Sequence, residues 1–247
     1  AGLETVRQRV GAARRWGAGR LELVLYYSGH ADDGGLLLAG QRQPYAQLRD
    51  YLDTVDADVR IAILDACASG NITRQKGGFR QPPFLVDESS SMRGHAFLTS
   101  SSNNEAAQES DELGASFFTH YLVSGLRGAA DVSQDGRVTL TEAYHFAFDE
   151  TLARTTGTSG GTQHPSRDIT MTGTGDVVLT DLRQTTAGLT LDASLGGRFF
   201  VRNGNGLLLA ETAKPAGRPM ELGLAPGTYT VHWLDGDRLS AARSSVV

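Results

Sequence analysis

Apolar residues in this chain gather in two kinds of pattern. Dense runs at Leu23-Val24-Leu25-Tyr26-Tyr27, Ile61-Ala62-Ile63-Leu64 and Ala96-Phe97-Leu98 have the length and continuity of strands buried in a parallel sheet. Between them the spacing changes to the helical period. Leu3, Val6, Val10 and Ala13 predict a helix over Leu3–Trp16, and Pro44 opens a second through Leu48, Tyr51 and Leu52. Phe117, Phe118, Tyr121, Leu122 and Leu126 predict a third helix, closed by Gly128. Tyr144, Phe148 and Leu152 predict a fourth, from about Thr141 to Arg154. Leu36-Leu37-Leu38 reads as a short strand or hairpin arm, and Asp176–Leu179 as the last strand of this part. Asn71–Met92 has no period and holds Gly77-Gly78, Pro82-Pro83 and Ser89-Ser90-Ser91, so it reads as a long loop.

From Leu182 onward the pattern becomes short and alternating: Leu189-Thr190-Leu191, Arg198–Val201, Leu207–Leu209, Met220–Leu222 and Tyr229–Trp233, punctuated by Asn203-Gly204, Pro226-Gly227 and Asp235-Gly236. Short strands between turn signals predict a small β domain, sandwich-like in type. The expectation is therefore an α/β domain over 1–181 followed by an all-β accessory domain over 182–247. A helix that leads straight into the first strand also lacks the strand that usually precedes it, so an amino-terminal strand region is expected to be missing here, with a fragment of the same precursor as a candidate partner.

The 247 residues carry a formal charge of −5, which gives no electrostatic basis for binding nucleic acid. No apolar run approaches the roughly 18 residues of a membrane span, so no membrane is expected. The single cysteine excludes an internal disulfide framework and leaves the compartment open, with the cytoplasm favoured.

Chemistry concentrates at two strand ends. Tyr26-Tyr27-Ser28-Gly29-His30 closes the first run, and Leu64-Asp65-Ala66-Cys67-Ala68-Ser69-Gly70 closes the second. Open α/β sheets place their chemistry at the carboxyl ends of parallel strands. A thiol becomes a nucleophile as its thiolate, and a neighbouring imidazole takes that proton and returns it to a leaving amine. Gly29, Ala31, Ala66, Ala68 and Gly70 let a substrate backbone come close and leave N–H groups for an oxyanion hole. The plain alternative is that Cys67 is a small buried hydrophobe. Asp65 stands two residues before Cys67, so alternation turns both to one side. A carboxylate there repels an acidic side chain and attracts Arg or Lys. Glu105 and Glu109, after the third run, are candidates for a second acidic wall, or solvated loop residues.

These two motifs, in this order with a helix between, resemble the caspase-like cysteine peptidases: caspases, metacaspases and paracaspases, here of bacterial type. The likeness covers about residues 1–181. It implies a three-layer α/β/α sandwich and endopeptidase activity with a His30/Cys67 dyad, Cys67 as nucleophile and His30 as general acid/base. It implies an oxyanion hole from the N–H groups of Ala31 and Cys67. Asp65 matches the metacaspase and paracaspase pattern, where the preference is for basic P1, so cleavage of peptide or protein substrates after Arg or Lys is expected. The family usually has Gly where this chain has Ala31. Its other S1 carboxylate comes from the amino-terminal strand region. Arg74, Lys76 and Arg80, with Arg93 just beyond, make the long loop a candidate for self-cleavage. The chemistry requires no cofactor.

One further motif stands apart. Asp131–Glu142 fits the twelve-residue calcium-loop register, with oxygen donors at Asp131, Ser133, Asp135 and Thr139, the backbone position at Arg137, Gly136 at the turn and Glu142 last. It reads as a Ca²⁺ loop or as a helix–turn–helix connector. His95, His120, His145 and His164 show no metal-ligand spacing and read as structural or surface residues. The rival functional readings are an inactive caspase-fold scaffold acting through its β domain and calcium-type loop, and another cysteine hydrolase.

Overall fold

The computed structural model describes residues 2–66, 92–102, 105, 107–110 and 113–246. Cys67 and the long basic loop expected to be self-cleaved lie outside the described residues up to position 91. In chain order the elements begin with helix α1 (Gly2–Arg15), strands β1 (Glu22–Ser28), β2 (Ala31–Asp32), β3 (Gly35–Leu38) and β4 (Gln41–Pro44), helix α2 (Tyr45–Thr54), and strands β5 (Val59–Asp65) and β6 (Arg93–Thr99). There follow β7 (Glu109–Ser110), β8 (Ala115–Ser116), α3 (Phe117–Ser124) with a π-helical turn (Gly125–Ala129), β9 (Arg137–Thr139), α4 (Leu140–Thr155) and β10 (Ser166–Thr172). The remainder is β: β11 (Val178–Asp181), β12 (Gly188–Leu191), β13 (Gly197–Asn203), β14 (Leu208–Lys214), β15 (Met220–Gly223), β16 (Gly227–Asp235) and β17 (Arg238–Val246). The chain is thus mixed α/β, with a parallel-containing sheet and further antiparallel sheets. No helix among the described residues is long and apolar enough to cross a membrane.

By its contacts the chain divides into two compact units, 1–107 with 157–176 and 108–156 with 177–247. This division does not coincide with the change of pattern at Leu182. Helices α3 and α4 fall with the carboxyl-terminal strands, because one apolar core holds Ala129 and Phe146 together with Phe199, Val201, Ala210 and Val231.

The first unit is built on a four-stranded sheet of order β1-β5-β6-β10, parallel except for β10. Alternation puts Leu23, Leu25 and Tyr27 of β1 in line with Ala62 and Leu64 of β5 and Phe97 of β6, and α1 and α2 pack on that face through Leu3, Val10, Leu48, Tyr51 and Leu52. Pro44 precedes α2 as its N-cap residue with φ −59°, a value proline holds without cost. The sequence pattern misses β10. Its residues Ser166-Arg-Asp-Ile-Thr-Met-Thr pair antiparallel with β6 as an edge strand, so two apolar residues suffice. β11 pairs instead with β9, in the second unit.

The second unit has a four-stranded antiparallel sheet, β14-β13-β16-β17, and the pair β12-β15. β17 escapes the pattern for a similar reason: it is an edge strand, mostly exposed, whose only buried residue is Val246. Gly128, in the π-helical turn after α3, has φ +125°, and a Cβ there would come within 2.1 Å of the Glu221 carbonyl oxygen, so only glycine fits. Helix α4 opens on a capping box in which Thr139 and Glu142 each satisfy the other's backbone N–H.

Candidate active site

The carboxyl ends of β1, β5 and β6 lie side by side. The ladder pairs Ser28 with Asp65 and continues one residue further, where Gly29 N donates to the Asp65 carbonyl at 3.1 Å. His30 is the next residue, exposed at the strand end. Its carbonyl is fixed from two sides: Leu37 N donates to it at 2.8 Å, and the Tyr27 hydroxyl lies 2.7 Å away. That hydroxyl sits where a Cβ on Gly29 would approach it to 2.7 Å, which explains glycine before the histidine. Tyr27 is therefore a positioning residue for the His30 backbone that the spacing alone did not reveal.

Ala31 begins β2 and pairs with Leu36. The turn that follows is held by Asp32, whose carboxylate accepts from Gly34 N at 2.9 Å and Gly35 N at 3.1 Å and pairs with Arg42. These hydrogen bonds, with the guanidinium charge, hold the Asp32 carboxyl below the ordinary range.

Asp65 is the last residue of β5 and only 5% exposed. Ala66 follows it, buried, with its N–H donating to Ser100 Oγ at 3.1 Å, while Ser100 Oγ and Ser101 Oγ each stand 3.4 Å from its carbonyl oxygen. Ser100 N donates to Leu64 O at 3.0 Å, and the buried Gln163 amide donates to Ser100 O at 2.6 Å. The chain leaving β5 toward Cys67 is thus clamped by the end of β6 and by the approach to β10. Ser100, Ser101 and Gln163 were not singled out by sequence, since a serine run and a lone glutamine carry no motif.

Glu105 lies in the same unit. Its carboxylate accepts from His164 N at 2.7 Å and meets His164 Nδ1 at 2.8 Å. Burial alone would raise its pKa, but these contacts and a Ser102 hydrogen bond hold it below the usual value. His164, read from sequence as structural or surface, thus ties the segment after β6 to the segment before β10. Glu109 is exposed on β7, a two-residue strand of the second unit paired with Ser116.

The 131–142 loop has the backbone form that its motif demands. Asp131 accepts from Asp135 N at 3.2 Å and Gly136 N at 3.0 Å, and Ser133 Oγ donates to it at 3.3 Å. Asp135 accepts from Arg137 N at 2.8 Å. Glu142 accepts from Ser133 N at 3.2 Å with one oxygen and from Thr139 N at 3.0 Å with the other. Val138, the apolar eighth position, is fully buried in β9. Burial raises the Asp131 pKa, and the nearby charges of Asp135 and Glu142 add to this. The donor types fit a hard cation. The carboxylates nevertheless turn to loop N–H groups, and among the described residues no three His, Cys, Asp or Glu side chains form a metal-ready group.

No protein-family model matches the chain, and no curated protein matches it.

Proposed function

We propose that this protein is a caspase-like cysteine endopeptidase that cleaves after Arg or Lys. One observation carries the reading. The β1–β5 register pairs Ser28 with Asp65, and in sequence His30 stands two residues beyond the first and Cys67 two residues beyond the second. An imidazole and the chain leading to the lone thiol therefore issue from adjacent parallel strands at one sheet edge, the usual location of chemistry in such sheets.

The chemistry follows from the two groups. His30 takes the Cys67 proton, and the thiolate sulfur bonds to the scissile carbonyl carbon. The oxyanion that forms is received by the N–H groups of Ala31 and Cys67. The C–N bond then breaks, His30 returns the proton to the leaving amine, and water hydrolyses the thioester with His30 as base. Asp65 supplies the negative charge for a basic P1 side chain, and Glu105 is a second carboxylate at the same pole. The family's fold in full, a three-layer sandwich, belongs to this proposal.

Fluorogenic peptides that differ only at P1 test it. Wild-type protein is expected to hydrolyse the Arg peptide and not the Asp peptide. Cys67→Ala is expected to fall to background, and Asp65→Asn to lose roughly 30-fold or more in kcat/KM for Arg, as for a desolvated charge pair that has lost one member. Equal turnover of both peptides, or full activity in Cys67→Ala, would remove the proposal.

A further inference from the structure

We propose that the opposite pole of the first unit, at the amino-terminal ends of the parallel strands, binds a small phosphate-type oxyanion. Arg14 at the end of α1, Asp56, Ala57 and Asp58 after α2, Arg60 of β5 and Arg93 of β6 line an open cavity of about 430 Å³.

The carboxylate at its heart is already committed. Asp58, 8% exposed, accepts from Arg14 Nη2 at 2.7 Å and Leu21 N at 2.9 Å, and Arg93 Nη2 stands 3.5 Å away. The guanidinium donors are not all committed. Arg14 Nε is buried without a hydrogen-bond partner, with an Asp56 carboxylate oxygen 3.7 Å away. At the margin Arg20 binds Glu22 and the Met92 carbonyl, yet its Nη2 is also buried without a partner. Neither atom is accessible to solvent, so an acceptor in the cavity meets these guanidinium groups through their exposed nitrogens and offsets their charge.

The acceptor's character follows from the lining. Arginine offers only donors, which excludes a cation as the group that satisfies them. The lining sets Arg14, Arg60 and Arg93 against Asp56 and Asp58, which leaves an excess of one positive charge. Arg60 uses Nε on Gly94 O at 3.2 Å and Nη1 on Asp53 O at 3.3 Å, which fixes its fork at the cavity wall. Arg93 stands at the rim with its side chain 74% exposed. Forked guanidinium groups match the paired oxygens of a phosphate better than a monatomic anion. The cavity has room for an ester group beside the phosphate. This inference is independent of the peptidase reading.

Calorimetric titration of the whole chain with inorganic phosphate and, separately, with O-phosphoserine, at ionic strength fixed with sodium chloride, tests it. Saturable binding is expected for at least one ligand, with affinity falling tenfold or more in Arg93→Gln and in Arg60→Gln. Arg93 lies at the rim, so its variant keeps the fold, and melting curves in chloride alone verify that for both. Tighter binding of phosphoserine assigns the site to a phosphate ester, and equal binding assigns it to the free ion. No saturable heat with either ligand, or binding unchanged in both variants, would overturn the proposal.

Discussion

At His120, a residue without a sequence signature, the structure leads us to expect a pH response. It lies on α3, buried, and burial together with the positive charges of Arg127 and Arg154 pushes its pKa down to about 4. Glu211, 3.8 Å from Nε2, is already paired with Arg198, which also binds Glu150. The sign follows from the depressed value. A neutral histidine in the fold, titrating near 6.5 when unfolded, contributes stability above that pH and loses it as pH falls toward 4. Wild-type protein is expected to lose stability between pH 6.5 and 4 more steeply than His120→Gln, by an amount on the order of 2–3 kcal/mol. Thermal melts of both proteins across this range check it, and parallel curves would show that another group carries the effect. Burial of this kind was not legible in sequence, where His120 is one of several scattered histidines, whereas His30 stood out because a strand-like run, a glycine and a second matching motif surround it.

At the scale of elements, dense apolar runs located β1, β5 and β6 and the helical period located α1 to α4, since burial on one or both faces leaves a strong signal. β10 and β17 lie on sheet edges and need few apolar residues, so neither could be read. The strand expected at Asp176–Leu179 is present as β11 (Val178–Asp181), but it does not join the four-stranded sheet of the first unit. Strand partners are not encoded in local pattern, and β11 pairs with β9 beside the 131–142 loop. That pairing and the buried Val138 anchor the loop as a second hand would in a paired calcium module. We propose a weak Ca²⁺ site there, with a dissociation constant on the order of 10⁻⁴–10⁻³ M. Ten millimolar calcium is then expected to stabilise the wild type by about 1.4–2.7 kcal/mol and to leave Asp131→Asn unmoved. Equal melting temperatures with and without calcium would make the loop a plain connector.

Across the whole molecule, two poles of one sheet carry the chemistry proposed here. The carboxyl-terminal pole holds His30, Asp65 and the clamped Ala66, and the amino-terminal pole holds the arginine-lined cavity. The first was legible because its residues sit in two short ordered motifs. The second was not, because Arg14, Arg60 and Arg93 are far apart in sequence: parallel pairing of β5 and β6 brings Arg60 near Arg93, and Arg14 reaches them from α1 through its ion pair with Asp58. The central claim rests on the thiol and imidazole acting together on a basic P1 residue. Labelling with a peptidyl acyloxymethyl ketone bearing P1 Arg, read by intact mass and peptide mapping, tests it most directly. One adduct on the peptide containing Cys67 is expected, formed much more slowly in His30→Ala and with a P1 Asp probe. A Cys67 that reacts with a small alkylating agent but takes no P1 Arg label, or labels equally with P1 Asp, would contradict the account.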